Sequence, residues 1–417
     1  MTKAKFLVVG SGAREHALCW KLGQDSEVHC APGNPGIRED AIVHEVESND
    51  FEALKRLALK LMPVIVLIGP EDPLISGLAD YLRSFGILVF GPSKAAAELE
   101  GSKAFSKFLM RELGIKTPDF VTFDQIDEAK KCINGLADDQ FGIVVKASGN
   151  ALGKGVVVCE SKEEAEEVIE AMMTREVFGD AGKTIVIEQK LQGFEFSLLT
   201  LVSDYGILSL PIAQDYKRAK DCNLGPNTGG MGSCSPLPSV NKSLIELAEH
   251  EFVLPVVNAL KTHGRMYRGV LFSGVMVDHN FPFCLEYNVR FGDPETQSVL
   301  LRLGKGFSEA IAACAKGEPI PEIEVLDNAA VTVVIASEGY PESPIKGIPI
   351  SSIPTELSGK VFHAGTMFQD GQLITSGGRV FSASASGVNL EAARANAYQL
   401  ADKIHFQGSW FRSDIGD

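Results

Sequence analysis

A multidomain α/β and α+β chain is predicted: a doubly wound parallel-sheet domain at the N-terminus, a mixed central domain and a small α+β domain at the C-terminus. Three observations predict it. The first hundred residues alternate continuous apolar strands with helical segments, the pattern of a sheet covered on both faces. Beyond Gly101 the strands come in neighbouring runs broken by glycine-rich loops, as in an α+β unit. The acidic, proline-containing stretch Gly317–Asp327 then reads as a linker to a last group of short strands and a closing helix. With 417 residues the chain should hold about three domains at ~150 residues each, and the expected bounds are 1–101, 102–326 and 327–417.

Each element has its local reason. Phe6–Val9 is an apolar run ending at Gly10, and Arg14–Leu22 continues as a helix. Val64–Ile68 and Ile87–Phe90 are further apolar strands, ending at Gly69 and Gly91. Sites in such sheets lie beyond the carboxyl ends of the strands, where these glycine breaks fall. Ser102–Leu113 reads as a helix stopped by Gly114. Strands are predicted at Ile143–Lys146, Val156–Cys159, Ile185–Glu188 and Phe196–Val202, with an amphipathic helix over Glu163–Met173. Leu244–His263 reads as one long helix, and Gly269–Val277 with Phe283–Val289 as a strand pair. Ala330–Ala336, Lys360–Ala364 and Arg379–Ala385 are the last strands, and Leu390–Ile404 is the closing helix.

Composition narrows the function. Hydrophobic residues make up 45% and charged residues 22%, an ordinary globular balance. A net charge of −15 argues against a nucleic-acid partner, because phosphate backbones require a basic surface. No apolar run reaches the ~20 residues of a membrane helix, so no membrane partner is expected. The eight cysteines are scattered singly without C-x-x-C spacing, as expected of reduced thiols in a cytoplasmic protein. His16, His250, His263 and His363 lack ligand spacing and read as structural or surface residues. The chain is expected to act as a monomer or a weak homodimer.

Two stretches carry the chemistry. In Glu286-Tyr287-Asn288-Val289-Arg290-Phe291-Gly292-Asp293-Pro294-Glu295, Glu286 and Asn288 alternate with apolar residues, so on a strand both oxygens share one face. A carboxylate and an amide oxygen are hard ligands suited to Mg²⁺ (or Mn²⁺) that nucleotide phosphates also hold. Upstream, Val144-Val145-Lys146 is a strand ending in a lysine, followed by the glycine loop Gly149–Gly155, which includes Gly153 and Lys154, and by another strand. The pair reads as an ATP site with metal on one wall and a phosphate-covering loop on the other. The loop lacks the G-x-x-x-x-G-K-[ST] spacing, so the cradle is not a P-loop. Lys103 is a further candidate phosphate ligand. Gly10-Ser11-Gly12-Ala13-Arg14-Glu15 only partly fits a dinucleotide fingerprint, because Glu15 takes the third glycine's place; it reads as a tight turn or an anion site at a helix start. Gln214-Asp215-Tyr216-Lys217-Arg218 and the loop Gly225-Pro226-Asn227-Thr228-Gly229-Gly230-Met231-Gly232 read together as a polar substrate segment.

These strings, with Ala31–Asn34, Gly69-Pro70-Glu71, Leu99–Phe105 and Val361–Thr366, resemble the phosphoribosylamine–glycine ligase (glycinamide ribonucleotide synthetase) family of the ATP-grasp superfamily, nearly end to end. The resemblance implies a central ATP-grasp domain with a lid subdomain at about 117–190. It implies ATP-dependent ligation of glycine to 5-phosphoribosylamine through glycyl phosphate, in purine biosynthesis. By position it implies Lys103, Lys146, Gly153, Lys154 and Gly155 at the phosphates, Glu188, Gln189 and Leu191 at an adenine hinge, and Glu195 at the ribose. Glu286 and Asn288 are implied as metal ligands, and Arg290, Asp293 and Lys217 as catalytic groups. Substrate contacts are implied for Gly10, Gly12, Arg14, Glu15, Glu71, Asp215, Lys217, Arg218, Asn227, Thr228, Gly229, Gly230 and Met231. The chain departs from the family's usual loop at Ser148 (for Asp), Asn150 and Leu152, and from its hinge at Gln189-Lys190. Losing that Asp is expected to remove a negative charge close to the phosphates. Two alternatives stand beside this reading: an ATP-grasp carboxylate–amine ligase with a changed acceptor, and a catalytically silent nucleotide-binding paralogue.

Overall fold

The computed structural model describes residues 4–136, 142–149, 155–175, 179–353 and 359–417. At the N-terminus five parallel strands run in the order Ile42–Val43, Glu27–Pro32, Lys5–Gly10, Ile65–Ile68, Leu88–Phe90. The strand order reverses between Lys5–Gly10 and Ile65–Ile68, so the crevice of this sheet opens where those two strands end, at Gly10 and Gly69. Alternation sends Leu7, Val9, Val66 and Ile68 to one core and Phe6, Val8, Ile65 and Leu67 to another.

Both cores continue into a four-stranded antiparallel sheet, in the order Gly206–Ser209, Gly193–Ser203, Gly269–Asp278, Phe281–Asn288. Phe196, Leu198 and Val275 join the first core, whereas Leu199, Leu201 and Val270 join the second. The parallel sheet and the central sheet are thereby welded into one body. A separate antiparallel sheet, in the order Phe120–Phe123, Ile185–Gln189, Ile143–Ala147, Val156–Cys159, carries helices Ile126–Asn134 and Lys162–Met173 around its own small core.

The last sheet runs Gln214–Asp215, Gly232–Ser235, Ala329–Ala336, Arg379–Gly387, Gly359–His363, with helix Leu390–Ala401 packed on it. It therefore crosses the 326/327 boundary: two of its strands flank the glycine-rich substrate segment. Gly317–Asp327, expected as a linker, is strapped down by Glu324 N–H to Lys305 O and Leu326 N–H to Arg302 O.

The expected helix Leu244–His263 is helical throughout its middle but contains a π-turn, Glu249–Val253, between Lys242–Ala248 and Leu254–Thr262. Pro255 has no N–H to return to the preceding turn, and a widened turn just before it absorbs the mismatch. The closing helix ends at Ala401 rather than Ile404, because the chain turns into the strand His405–Phe406. All eight cysteines are free thiols. Among the described residues no helix is long and apolar enough to cross a membrane.

Candidate active site

A cleft of about 760 Å³ lies between the small antiparallel sheet, the central sheet and the glycine-rich segment. One wall carries lysines. Helix Lys103–Glu112 is capped by Ser102, whose Oγ accepts from Phe105 N–H, and it presents Lys103 and Lys107, one turn apart, on one face. Strand Ile143–Ala147 presents Lys146, and the neighbouring strand Ile185–Gln189 presents Glu188. The Glu188 carboxylate meets Lys146 Nζ at 2.7 Å and Lys107 Nζ at 3.0 Å, and all three side chains are buried. Burial lowers the Lys103 ammonium, and Glu286 opposes that shift.

The floor is built from arginines. Arg290 follows directly on the strand Phe281–Asn288, and its guanidinium reaches Glu100 at 3.0 Å and Glu71 at 3.4 Å. Val289 N–H also donates to Glu100 at 2.7 Å. Burial and the nearby Glu71 push the Glu100 carboxyl up to about 7, against the pull of Arg290. Asp293 lies beside Arg379, which comes from the C-terminal sheet: Arg379 Nη2 is 3.0 Å from its carboxylate and Nη1 donates to its carbonyl at 2.9 Å. Arg379 Nη1 donates to Gly229 O as well, and Gly229 N–H donates to Tyr340 Oη at 3.0 Å.

The glycine-rich segment is held, not loose. Thr228 Oγ1 donates to Lys217 O and accepts from Gly230 N–H, and Met231 N–H donates to Tyr216 O. Gly230 has φ +106°, and a side chain there would come within 2.6 Å of Asp215 Oδ1, so the backbone can pass only as glycine. Asp215 Oδ1 is buried without a hydrogen-bond partner among the described residues. Burial and the neighbouring Glu295 raise the Asp215 carboxyl well above its ordinary value. Glu295 is itself buried and accepts from Ser197 Oγ at 2.9 Å. Lys217 pairs with Glu195 at 2.6 Å.

Glu286 and Asn288 both line the cleft from the strand Phe281–Asn288, while Tyr287 between them turns away to donate its hydroxyl to Phe252 O. Burial pushes the Glu286 carboxyl up, but Lys217, Lys146, Lys103 and Arg290 together outweigh it and hold it at about 2. It is therefore ionised at neutral pH.

Three family models match most of this chain: the N domain of phosphoribosylglycinamide synthetase over residues 4–100, its ATP-grasp (A) domain over 101–296 and its C domain over 330–417. The chain belongs to the phosphoribosylglycinamide synthetase family. A phosphoribosylamine–glycine ligase of Rhodopirellula baltica is 43% identical, covering 100% of this chain and 98% of its own. The crystal structure of the phosphoribosylamine–glycine ligase of Thermotoga maritima superposes with a TM-score of 0.86 at 36% identity, over 99% of this chain and 100% of that one. At 17% identity, with a TM-score of 0.75 over 98% of this chain and 92% of the other, the fold is shared by the biotin carboxylase domain of a Hydrogenobacter thermophilus 2-oxoglutarate carboxylase solved with MgADP.

Within this phosphoribosylglycinamide synthetase fold, most residues singled out in the sequence meet at the cleft: Lys103, Lys146, Gly155, Glu188, Gln189, Leu191, Glu195, Asp215, Lys217, Arg218, Asn227, Thr228, Glu286, Asn288 and Arg290, together with Arg14 and Glu71. Gly12 instead lines a second cavity of about 620 Å³, walled by Ser11, Asn34, Tyr340 and Thr366, and Gly229 and Asp293 line both. Gly10, Glu15, Gly230 and Met231 line neither. Glu15 is folded under the first turn: its carboxylate accepts from Gly12 N–H at 2.7 Å and holds Arg14 Nε at 2.6 Å, and any side chain at Gly69 would collide with it. It therefore occupies part of the helix start that was expected to face an anion. Gln189 and Lys190 already donate their N–H groups to Asp119 O and Gly142 O, so the hinge backbone is partly committed within the protein.

Asn150, Leu152, Gly153 and Lys154 lie outside the described residues. Ser148, expected near phosphates, docks on the start of the helix Lys103–Glu112: its carbonyl accepts from Lys103 N–H at 2.7 Å and its Oγ from Ala104 N–H at 3.1 Å. The four histidines form no metal group; His16 and His363 are buried, with His363 N–H donating to His16 Nδ1. Glu100, Lys107, Glu295 and Arg379 were missed. Only Lys107 had a local signal, its spacing of one helical turn from Lys103.

Proposed function

We propose that the chain joins glycine to 5-phosphoribosylamine with ATP, forming N1-(5-phosphoribosyl)glycinamide, ADP and phosphate in purine biosynthesis. Family membership supports the reaction, and one observation of the site supports it most: the two cavities share a wall made of Gly229, Asp293 and Arg379. A two-substrate ligation needs such a shared wall, because the amine must reach an activated carboxyl made next door.

In this reading the nucleotide lies in the larger cleft, with Lys103 and Lys146 against its phosphates, the hinge Glu188–Leu191 along adenine and Glu195 at the ribose. The metal's chemistry fits the donors present. Glu286 is ionised and Asn288 adds an amide oxygen, and two hard ligands leave room for phosphate oxygens and water around Mg²⁺ (or Mn²⁺). Such an ion would neutralise phosphate charge as the γ-phosphoryl group moves.

The residues of the chain do the rest. The paired acids Asp215 and Glu295 form a buried pocket of carboxyl oxygens, one of them unpartnered among the described residues, suited to accept from glycine's ammonium group. Arg290, fixed by Glu71 and Glu100, turns its fork to the carboxylate, aligning one oxygen for attack on the γ-phosphorus. That attack breaks the bond to ADP and gives glycyl phosphate. The amine of 5-phosphoribosylamine, entering from the second cavity past Gly12 and Ser11, then attacks the acyl carbon and expels phosphate. Lys217 stands near the transferred charge. Arg379 and Tyr340 hold the wall between the two steps. The protein functions in this reading as a monomer or weak homodimer without nucleic-acid or membrane partners.

The test is product analysis with all three substrates and with each omitted in turn. Phosphoribosylglycinamide is expected only when ATP, glycine and 5-phosphoribosylamine are all present. Ligation of a different amine in its place would establish a changed acceptor, and nucleotide binding without turnover would establish the silent alternative.

A further inference from the structure

Lys107 has no part in the reaction just described, yet it is one of two ammonium groups facing a single carboxylate. Its Nζ is 3.0 Å from Glu188 and donates to Thr117 Oγ1 at 2.6 Å, and Thr117 in turn donates to Cys284 O. Lys146 holds the other oxygen of Glu188 at 2.7 Å. All three charges are buried, so the group is an uneven triad, with two cations on one anion. Burial pushes the Lys107 ammonium down to about 8, and Glu188 is the chief influence opposing it.

The unevenness has a physical use. A buried carboxylate left without a cation is strongly unfavourable. If Lys146 were the sole partner of Glu188, phosphates could recruit it only by stripping that carboxylate. With Lys107 in place, Lys146 can turn on its flexible stem toward a phosphate while Glu188 keeps a cation. Lys107 is also tethered to Thr117, and through it to the central sheet, so it is the partner that stays.

We propose that Lys107 is a positioning residue that retains Glu188 and so releases Lys146 to the phosphates of a bound nucleotide. The inference rests on the reading of the larger cleft as an ATP site. It distinguishes Lys107 from a purely structural lysine, because its effect falls on the phosphates and not on the nucleoside.

Calorimetric titration of MgATP, and of adenosine as the phosphate-free probe, tests it in the native protein and in Lys107→Met, Lys107→Arg and Lys107→Met/Glu188→Gln, with thermal melting to verify folding. Lys107→Met is expected to weaken MgATP binding by about tenfold or more while adenosine changes by less than about threefold. Lys107→Arg keeps the cation and should stay near native. The double variant removes the carboxylate that traps Lys146; because Glu188 also belongs to the hinge, its MgATP affinity is read relative to its own adenosine affinity, and that ratio should return toward native. Equal losses for MgATP and adenosine, an unaltered Lys107→Met, or a double variant whose MgATP-to-adenosine affinity ratio is no better than that of the single one would each overturn the proposal. A native protein that binds no MgATP would overturn the reading of the cleft itself, and this inference with it.

Discussion

The floor of the cleft holds its charges with arginines, and the opposite wall holds them with lysines. On the floor, Arg290 sits between Glu71 and Glu100, and Arg379 is tied to Asp293 and to the carbonyl of Gly229. Several contacts fix each planar fork, so the direction in which it can meet a substrate is set before binding. On the opposite wall, Lys103, Lys107 and Lys146 are point charges on flexible stems, and two of them share one carboxylate. The difference follows the chemistry proposed for each side: a small carboxylate is aligned by a planar fork of fixed direction, whereas phosphates are met by compact point charges that need no single direction. The two regions also differ in their anchoring. The floor and the helix that carries Lys103 and Lys107 are joined to the main double core, while the Lys146 strand belongs to a small sheet with a core of its own.

The sharpest way to break this comparison is to remove the ligands between the two regions. Glu286→Gln and Asn288→Ala are each expected to lower turnover by about a hundredfold or more with the melting temperature preserved, since they withdraw charge stabilisation from the transferring phosphoryl group. Near-native turnover at saturating Mg²⁺ in either variant would sink the assigned role. Next comes the floor. Arg290→Ala leaves Glu71 and Glu100 facing each other without their cation, and should cost about 3–5 kcal/mol of stability. Urea unfolding measures this, and a change below ~1 kcal/mol would show that the fork is not held as described.

The first of these predictions could be written from the sequence, and the second could not. Alternation of Glu286 and Asn288 with apolar neighbours is a local signal, and so is the apolar continuity of the N-terminal strands. Both survive in the structure because strand periodicity is imposed by the backbone. Glu100, Glu295 and Arg379 act through partners distant in the chain, and an isolated charged residue carries no periodic mark. Arg379 is the clearest case: it reaches Gly229 across 150 positions because the C-terminal sheet borrows strands Gln214–Asp215 and Gly232–Ser235. The role of Ser148 was only half legible for a related reason. Its loop was legible, but its docking on the start of helix Lys103–Glu112 was not.

The remaining predictions sharpen the lid side. The strands Ile143–Ala147 and Val156–Cys159 should exchange amide hydrogens faster than Lys5–Gly10 without nucleotide and slow on adding MgATP; unchanged exchange would argue against a moving lysine wall. Because Ser148 caps a helix, Ser148→Asp places a carboxylate at that helix's N-terminus. It should alter stability by only about 1 kcal/mol or less, with no change in the amine ligated. A hundredfold gain in turnover would show that the native loop is impaired. A further prediction concerns pH. Burial, with help from His16 and Lys360, holds the His363 imidazole down at about 3, so the folded state resists a proton that the unfolded chain accepts below its ordinary value. Stability should therefore decline as pH falls from neutrality toward about 3, by at most about 1.4 kcal/mol per pH unit for this one site. Chemical denaturation at stepped pH, compared with His363→Gln, isolates that share; an identical slope in the variant would assign it elsewhere.

The central claim, that glycine's carboxylate is phosphorylated before the amine attacks, is tested most directly with glycine carrying ¹⁸O in its carboxyl group. Attack on the γ-phosphorus followed by expulsion of phosphate must carry one glycine oxygen into the released phosphate, so the account predicts a singly ¹⁸O-labelled phosphate for each amide formed. Unlabelled phosphate accompanying amide formation would contradict it.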